Sequence, residues 1–420
     1  MQMVTLESIC TRISSGGTPS RTRPEYFTMD ALGHLWVKSK ELLDCSIDDT
    51  EERITDEGLK KSSAKLYPED TVLIAMYGAN VGQLGWLQRS ATVNQAVCGL
   101  VIDDQKADWR YVFYSLLLNR GDLTVQAQGA AQQNLNQDLI RQFSIPLSSL
   151  PTQRRIADIL SAYDELIENN QRRIRILEDM ARSLYREWFV HFRYPGHENE
   201  RSEVSSLRPS VPLVDSPLGQ IPQGWEVIPF TEISDVLSGG TPKTDIADYW
   251  NGEIPFFTPR DAPDCFYAQS TDKHVTELWL SKCASQLYPP DTVFITARGT
   301  VGKVALPSMP MAMNQSCYAL RGKAGISQRF LFLMTLQQVD YLKTNTGGAT
   351  FDTIVVDTFR RMHVVKPSLD LIAQFTSRID TVFEQVNTLQ RQTANLHRTR
   401  DLLLPRLLSG QVQLDDVTLP

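Results

Sequence analysis

One pattern occurs twice in this chain and limits what the chain can fold into. Between about 152 and 193, Ile156, Leu160, Tyr163, Ile167, Asn170, Ile174, Leu177, Ala181, Leu184 and Trp188 recur at alternating steps of four and three. Between about 369 and 410, Phe375, Ile379, Val382, Val386, Leu389, Thr393, Leu396, Arg400, Leu403 and Leu407 do the same. Residues at that spacing form one stripe on a helix, and a second helix with the same stripe covers it best. The residues between are mostly Arg, Glu, Asp, Gln and Asn, so the rest of each helix faces water. At 1.5 Å per residue each stripe runs about 50 Å.

The segments before the stripes also repeat. Ser15-Gly16-Gly17-Thr18-Pro19 is answered by Ser238-Gly239-Gly240-Thr241-Pro242, and Leu66-Tyr67-Pro68 by Leu287-Tyr288-Pro289. Asn94-Gln95 is answered by Asn314-Gln315, and Gln128-Gly129-Ala130 by Thr346 to Ala349. The offset stays at roughly 220 residues, and landmarks kept in order at one spacing mark a duplication. Each copy reads as a mixed domain. Strands are expected at Leu35 to Val37 and Thr71 to Met76, a hairpin tip at Tyr77 to Asn80, and a short helix from Trp109 to Leu118.

The expected division is a first domain over 1–150, a long helix over 151–194, a linker over 195–224, a second domain over 225–367, a second long helix over 368–410 and a tail over 411–420. The linker is rich in Pro, Ser and Gly and is expected to hold little regular structure. The fold class is α+β: two similar domains joined by a long antiparallel two-helix coiled coil, related by a pseudo-two-fold axis. In that register Asn170 faces Thr393, Trp188 meets Phe375, Ala181 leaves room opposite Val382, and the Tyr163 ring carries the stem of Arg400.

Composition adds mainly exclusions. The 420 residues carry a formal charge of −7, which gives no outright sign of nucleic acid but does not exclude a locally basic surface. Six scattered cysteines without a C-x-x-C pair suit a reducing compartment. No signal peptide opens the chain and no apolar run nears membrane-spanning length, so a cytoplasmic protein without a membrane partner is expected. There is no P-loop and no H-E-x-x-H, and the histidines stand far apart. Pro290-Asp291 opens like a nuclease metal motif, but no acidic-x-Lys follows, so a turn is the better reading. Gly299-x-x-Gly302-Lys303 lacks the strand-to-helix setting of a phosphate loop. These absences describe a chain that binds rather than catalyses, with no catalytic, cofactor or metal residues of its own.

The ordered set of motifs resembles the specificity (S) subunit of type I restriction–modification systems. It comprises the two Ser-Gly-Gly-Thr-Pro and two Leu-Tyr-Pro stretches, Gln153-Arg154-Arg155-Ile156-Ala157 at the start of the first long helix, and Gly219-x-Ile221-Pro222-x-Gly224-Trp225 before the second domain. Leu407-Leu408-Ser409-Gly410 completes it. The resemblance implies that each domain is a target recognition domain reading half of a bipartite double-stranded DNA sequence. It implies that the helix pair is a ruler and a dock for two methyltransferase (M) subunits, joined by up to two restriction/motor (R) subunits. S-adenosylmethionine is then expected on the methyltransferase partners, and ATP and Mg on the motor-nuclease partners, with no cofactor on this chain.

Candidates for DNA contact are polar or basic residues of the paired loops: Thr18, Lys38, Lys40 and Asn80 in the first domain, and Thr241, Lys243, Arg260, Arg298 and Lys303 in the second. Arg298 and Lys303 stand out because they flank one hairpin tip. Arg172, Arg173, Glu178, Asp179 and Arg398 on the helix flanks are expected to meet partner subunits. Two other functions fit the same residues: a free-standing two-domain DNA-binding regulator, and a scaffold that binds proteins through its coiled coil.

Overall fold

Alternation decides how the central strands are covered. In Val72–Ala75, Val72 and Ile74 belong to one core and Leu73 and Ala75 to another, so the strand is buried on both faces. The equivalent strand Val293–Thr296 is split the same way, with Val293 and Ile295 on one side and Phe294 on the other. A helix packs on one face of each such sheet and a second sheet on the other.

This computed structural model describes residues 2–127, 134–196, 212–283, 285–345, 353–412 and 414. The repeat landmarks at Gln128 to Ala130 and Thr346 to Ala349, most of the linker and most of the tail lie outside the described residues. The chain forms two compact units, Met1–Ile167 with Asn395–Pro420, and Glu168–Ala394. Each unit thus takes part of both long helices, whereas the sequence division set the helices apart from the domains.

In unit 1 a five-stranded sheet runs in the order Cys10–Ser15, Val97–Ile102, Val72–Ala75, Leu84–Leu87, Cys45–Ile47. Its pairs are antiparallel except the last, which is parallel. A second five-stranded sheet contains His34–Val37 and Ala91–Val93 as parallel neighbours. Unit 2 repeats the first sheet as Ser234–Ser238, Cys317–Gly322, Val293–Thr296, Val304–Pro307 and Tyr267–Ala268. Its other sheet has three strands, with Trp250–Phe257 parallel to Ala312–Met313.

Two short antiparallel pairs close the domains. Gln2–Thr5 pairs with Ser144–Leu147 in unit 1, and Glu226–Pro229 with His363–Lys366 in unit 2. The linker expectation needs correction at its described end. Leu213–Ser216 and Gly219–Pro222 form a hairpin, in which the Ser216 hydroxyl accepts the Leu218 N–H at 3.2 Å and Ile221 is buried.

The long helices are Leu150–Phe189 and Leu369–Leu408, 40 residues each. In unit 2 the Trp188 ring lies 5.4 Å from that of Phe375, while Arg173, four turns earlier, lines a groove with Glu384, Thr388 and Gln392. The two helices therefore run antiparallel there. In unit 1, Ile156, Leu160 and Tyr163 share a core with Leu404, Leu407 and Leu408. Ile167, Asn170, Ile174, Ala181, Ile379, Val386, Leu389 and Thr393 are buried, and Leu177, Leu184, Val382, Leu396 and Leu403 partly so.

Two polar groups of the seam find partners close by. Arg400 stands at the seam position expected to face Tyr163. Its guanidinium pairs with the neighbouring Asp164, which also accepts the Tyr114 hydroxyl at 2.5 Å. At the centre, Thr393 satisfies its hydroxyl on the Leu389 carbonyl at 2.8 Å, so its burial demands no partner across the seam. The buried stripe is also wider than the heptads. Ile159, Tyr185, Phe189 and Phe383 are buried as well, because each helix packs on sheet-bearing elements in addition to the other helix.

Candidate nucleic-acid interface

In each unit the repeated motifs fasten the loops about the central strand, the Gly-Gly turn and the hairpin tip at its C-terminal end and the Leu-Tyr-Pro turn at its N-terminal end. The Gly-Gly turn is the first fastening. Gly17 N–H donates to the Val93 carbonyl at 3.0 Å, and Gly240 N–H to the Met313 carbonyl at 3.1 Å. The backbones pass so closely that a Cβ on Gly16 would sit 1.8 Å from Val93 O, and one on Gly239 2.2 Å from Asn314 O. Only glycine fits there. Thr18 and Thr241 complete the clasp. The Thr18 hydroxyl donates to Gln95 Oε1, and the Thr241 hydroxyl accepts the Gln315 N–H at 3.4 Å.

The Leu-Tyr-Pro motif is the second fastening. The buried Tyr67 hydroxyl donates to the Ser14 carbonyl at 2.7 Å, and that of Tyr288 to the Ser238 carbonyl at 3.1 Å. Asp70 and Asp291 then turn the chain with φ of 61° and 62°. Pro290-Asp291 is thus a turn. Asp291 accepts the Tyr267 hydroxyl at 2.8 Å and meets Arg329 at 3.4 Å.

The hairpin tip is the third. Gly78 and Gly299 take φ of 79° and 81°, the left-handed region that glycine enters without strain. Each tip is tied to the turn that follows the strand ending at Val37 or Phe257. Asn80 Nδ2 donates to the Ser39 carbonyl at 3.3 Å, and the Thr300 hydroxyl to the Pro259 carbonyl at 3.1 Å. That turn is itself fixed by a carboxylate in both units. Glu41 accepts the Lys38 N–H and Asp261 the Thr258 N–H, each at 2.7 Å.

On this common frame the electrostatics differ. In unit 1 the candidate cations are neutralised. Lys38 Nζ lies 2.8 Å from Glu52 and 3.2 Å from Glu51, and Lys40 Nζ 2.5 Å from Glu51. Burial alone would pull the Lys38 ammonium down, but Glu52 and Glu51 outweigh it and hold its pKa above the usual value. In unit 2 Lys303 is paired with Asp264 at 2.8 Å. Lys243, Arg260 and Arg298 are exposed and, among the described residues, form no ion pair. The structure thus brings Lys38, Lys40 and Asn80 together, and Arg260 with Arg298, but it does not leave Lys303 free beside Arg298. Thr18 and Thr241 are clasp residues of the frame.

Several contacts that fix the site escape a sequence reading. Arg110 and Arg329 hold equivalent places on the helix after the last central strand. Arg110 pairs with Asp158 at 2.9 Å and Arg329 with Asp380 at 2.7 Å, so in each unit an arginine anchors a long helix to its domain. Gln153 is buried, accepts the Asp108 N–H at 3.0 Å and donates to the Ser148 carbonyl at 2.9 Å. Glu178 is buried too, which removes it from the exposed flank; Arg172, Arg173, Asp179 and Arg398 are exposed. Among the described residues no group of three or more His, Cys, Asp or Glu is placed to hold a metal ion, and no helix is long and apolar enough to cross a membrane.

Comparison with known proteins agrees across most of the chain. A family model described as the type I restriction modification DNA specificity domain matches residues 1–179 and 222–395. The type I restriction enzyme MjaIX specificity subunit of Methanocaldococcus jannaschii is 24% identical over 413 residues, covering 96% of this chain and 92% of the relative. The HindI specificity subunit of Haemophilus influenzae is 23% identical, covering 66% of this chain and 70% of its own. In fold, the chain is similar to the crystal structure of a type I restriction–modification S subunit from M. genitalium. The TM-score is 0.61 at 16% identity, over 97% of this chain and 95% of that one.

Proposed function

This chain belongs to the type I restriction–modification DNA specificity family, and on that premise we propose that each unit reads one half of a bipartite duplex through its fastened loops. The observation that carries this reading is the same frame presented twice with different side chains: Tyr77, Asn80 and neutralised lysines in unit 1, Arg298, Thr300 and free guanidiniums in unit 2. Frame residues fix where the loops stand. Side chains on the loops meet phosphates and base edges, and only the base-edge contacts carry sequence.

The chain itself performs no bond-making step. Two methyltransferase subunits dock on the helix pair, and up to two motor-nuclease subunits join them. S-adenosylmethionine resides on the methyltransferases, and ATP and Mg on the motors. The docking surface includes the polar flanks at Arg172, Arg173, Asp179 and Arg398 together with Ile176 and Met180. These two lie one turn apart and are 54% and 55% exposed, an apolar pair that a partner would cover. The assembly works in the cytoplasm, where its DNA is. The helices, about 60 Å long at 1.5 Å per residue, set the gap between half-sites.

Mapping methylated adenine in DNA from cells carrying the complete system tests the reading. The expected result is one bipartite sequence with a fixed unspecified gap. Methylation without two half-sites, or none that depends on this chain, would overturn it.

A further inference from the structure

Tyr77 and Arg298 occupy one position of the repeated frame. Each follows a residue held from two sides. The Met76 N–H donates to the Ala96 carbonyl and the Ala297 N–H to the Ser316 carbonyl, both at 2.8 Å. The Met76 and Ala297 carbonyls in turn accept the N–H groups of Leu135 and Ile354, both at 2.9 Å. Each then precedes the positive-φ glycine of its tip. The backbone at this point is therefore fixed in the same way in both units.

The side chains are not fixed. Tyr77 is 39% exposed and Arg298 is exposed. Among the described residues neither makes a side-chain hydrogen bond, an ion pair or a ring contact. The other polar tip residues, Asn80 and Thr300, are spent on tying the tip down. A rigid backbone that carries one free polar side chain is what base reading requires, because the ordering cost is met before DNA arrives.

We propose that Tyr77 and Arg298 are the corresponding specificity-determining residues of the two units, with Arg298 reading a guanine through its N7 and O6. This rests on the DNA-reading function proposed above. A guanidinium fork matches those two acceptors in the major groove; a phenol cannot, so the two half-sites differ at the corresponding base pair.

The test uses the complete methyltransferase complex. Its substrates are duplexes carrying the mapped site, with each base pair of both half-sites changed one at a time. With the wild-type chain, one half-site contains a G·C pair whose replacement slows methylation by roughly tenfold or more. R298A should lose discrimination at that pair alone, and R298K, which keeps the charge but not the fork, should not restore it. Y77A should relax one pair in the other half-site only. Uniform weakening of all duplexes by R298A, with a shallower salt dependence, would make Arg298 a phosphate contact and overturn the proposal. Unchanged stringency in R298A, full rescue by R298K, or the lack of any such G·C pair would overturn it too. Failure of the wild-type complex to methylate any bipartite site would instead sink the functional reading beneath it.

Discussion

Glu178 Oε1 accepts the backbone N–H of Phe266 at 2.7 Å, in a residue that is only 3% exposed. The contact joins the first long helix to the loop before Tyr267–Ala268, and the Phe266 ring packs on Phe383 of the second long helix, 5.1 Å away. Burial pushes the Glu178 carboxyl up to about 7, although the Phe266 N–H and Arg182 pull the other way.

This makes unit 2 sensitive to pH. The folded pKa lies above the usual 4.5, so the folded state holds a proton that the unfolded state has already released. The resulting stabilisation is fully present below about 4.5 and is lost as pH rises through about 7. The loss amounts to a few kcal/mol at most, at about 1.4 kcal/mol per pKa unit. E178Q keeps an acceptor for Phe266 and carries no charge. Urea unfolding from pH 4.5 to 7.5 should show the wild type losing stability against E178Q; parallel curves would refute the assignment.

Exchange of one domain should change one half-site. Val227 and Val365 are paired residues of the antiparallel strands that close the second domain. The segment between them leaves and rejoins the frame at adjacent points, so its replacement by the matching segment of another specificity subunit leaves the sequences of both long helices intact. Adenine methylation of genomic DNA should then show one half-site altered and the other retained. A simultaneous change in both would mean that the domains do not read independently.

Assembly is open to a stoichiometric check. Co-purification with the methyltransferase subunit should give two copies per chain by native mass spectrometry. Met180→Glu places a charge beside exposed Ile176 and should weaken capture of a methyltransferase copy by about tenfold or more while leaving the melting temperature of the free chain in place. A stable one-to-one complex as the end state would exclude two docks.

Seven residues inserted after Asn170 and seven after Leu389 preserve both heptad stripes and lengthen each helix by about 10 Å. The reading loops are untouched, so half-site sequences should persist. The distance between readers changes by roughly three base pairs at 3.4 Å per pair, and their angle about the duplex changes with it. Methylation of duplexes whose gap varies one pair at a time should move to a new gap or vanish at the natural one. Full activity at the original gap, with none gained at longer gaps, would show that the helices do not set the spacing.

The repeated frame was legible because its residues answer to backbone demands. The Gly16 approach to Val93 and the Tyr67 bond to Ser14 admit few other residue types, so both recur at matching places. Trp188 against Phe375 was legible from the heptads alone. Pairings across long sequence separations were not. Nothing local says that Lys38 will find Glu51 and Glu52, or that Lys303 will reach Asp264, since these depend on how neighbouring turns fold back. Glu178 reads as a solvated helix charge from its neighbours, and only the fold supplies the buried N–H that holds it. The 213–222 hairpin was hidden for another reason: composition signals turn residues but not whether the flanking residues pair.

The two units are not equal in when they can be completed. Unit 2 is one unbroken stretch, Glu168–Ala394, whereas unit 1 needs Leu404, Leu407 and Leu408 to cover Ile156, Leu160 and Tyr163. On the ribosome the domain made first therefore has to wait. Its apolar helix face stays uncovered through the synthesis of the whole second unit, while that later unit has everything it needs to fold beforehand. The first unit can therefore be completed only after the second has been fully synthesised, unlike the usual N-terminal-first sequence. A messenger cut short within the last helix would leave a finished second reader attached to an unfinished first one.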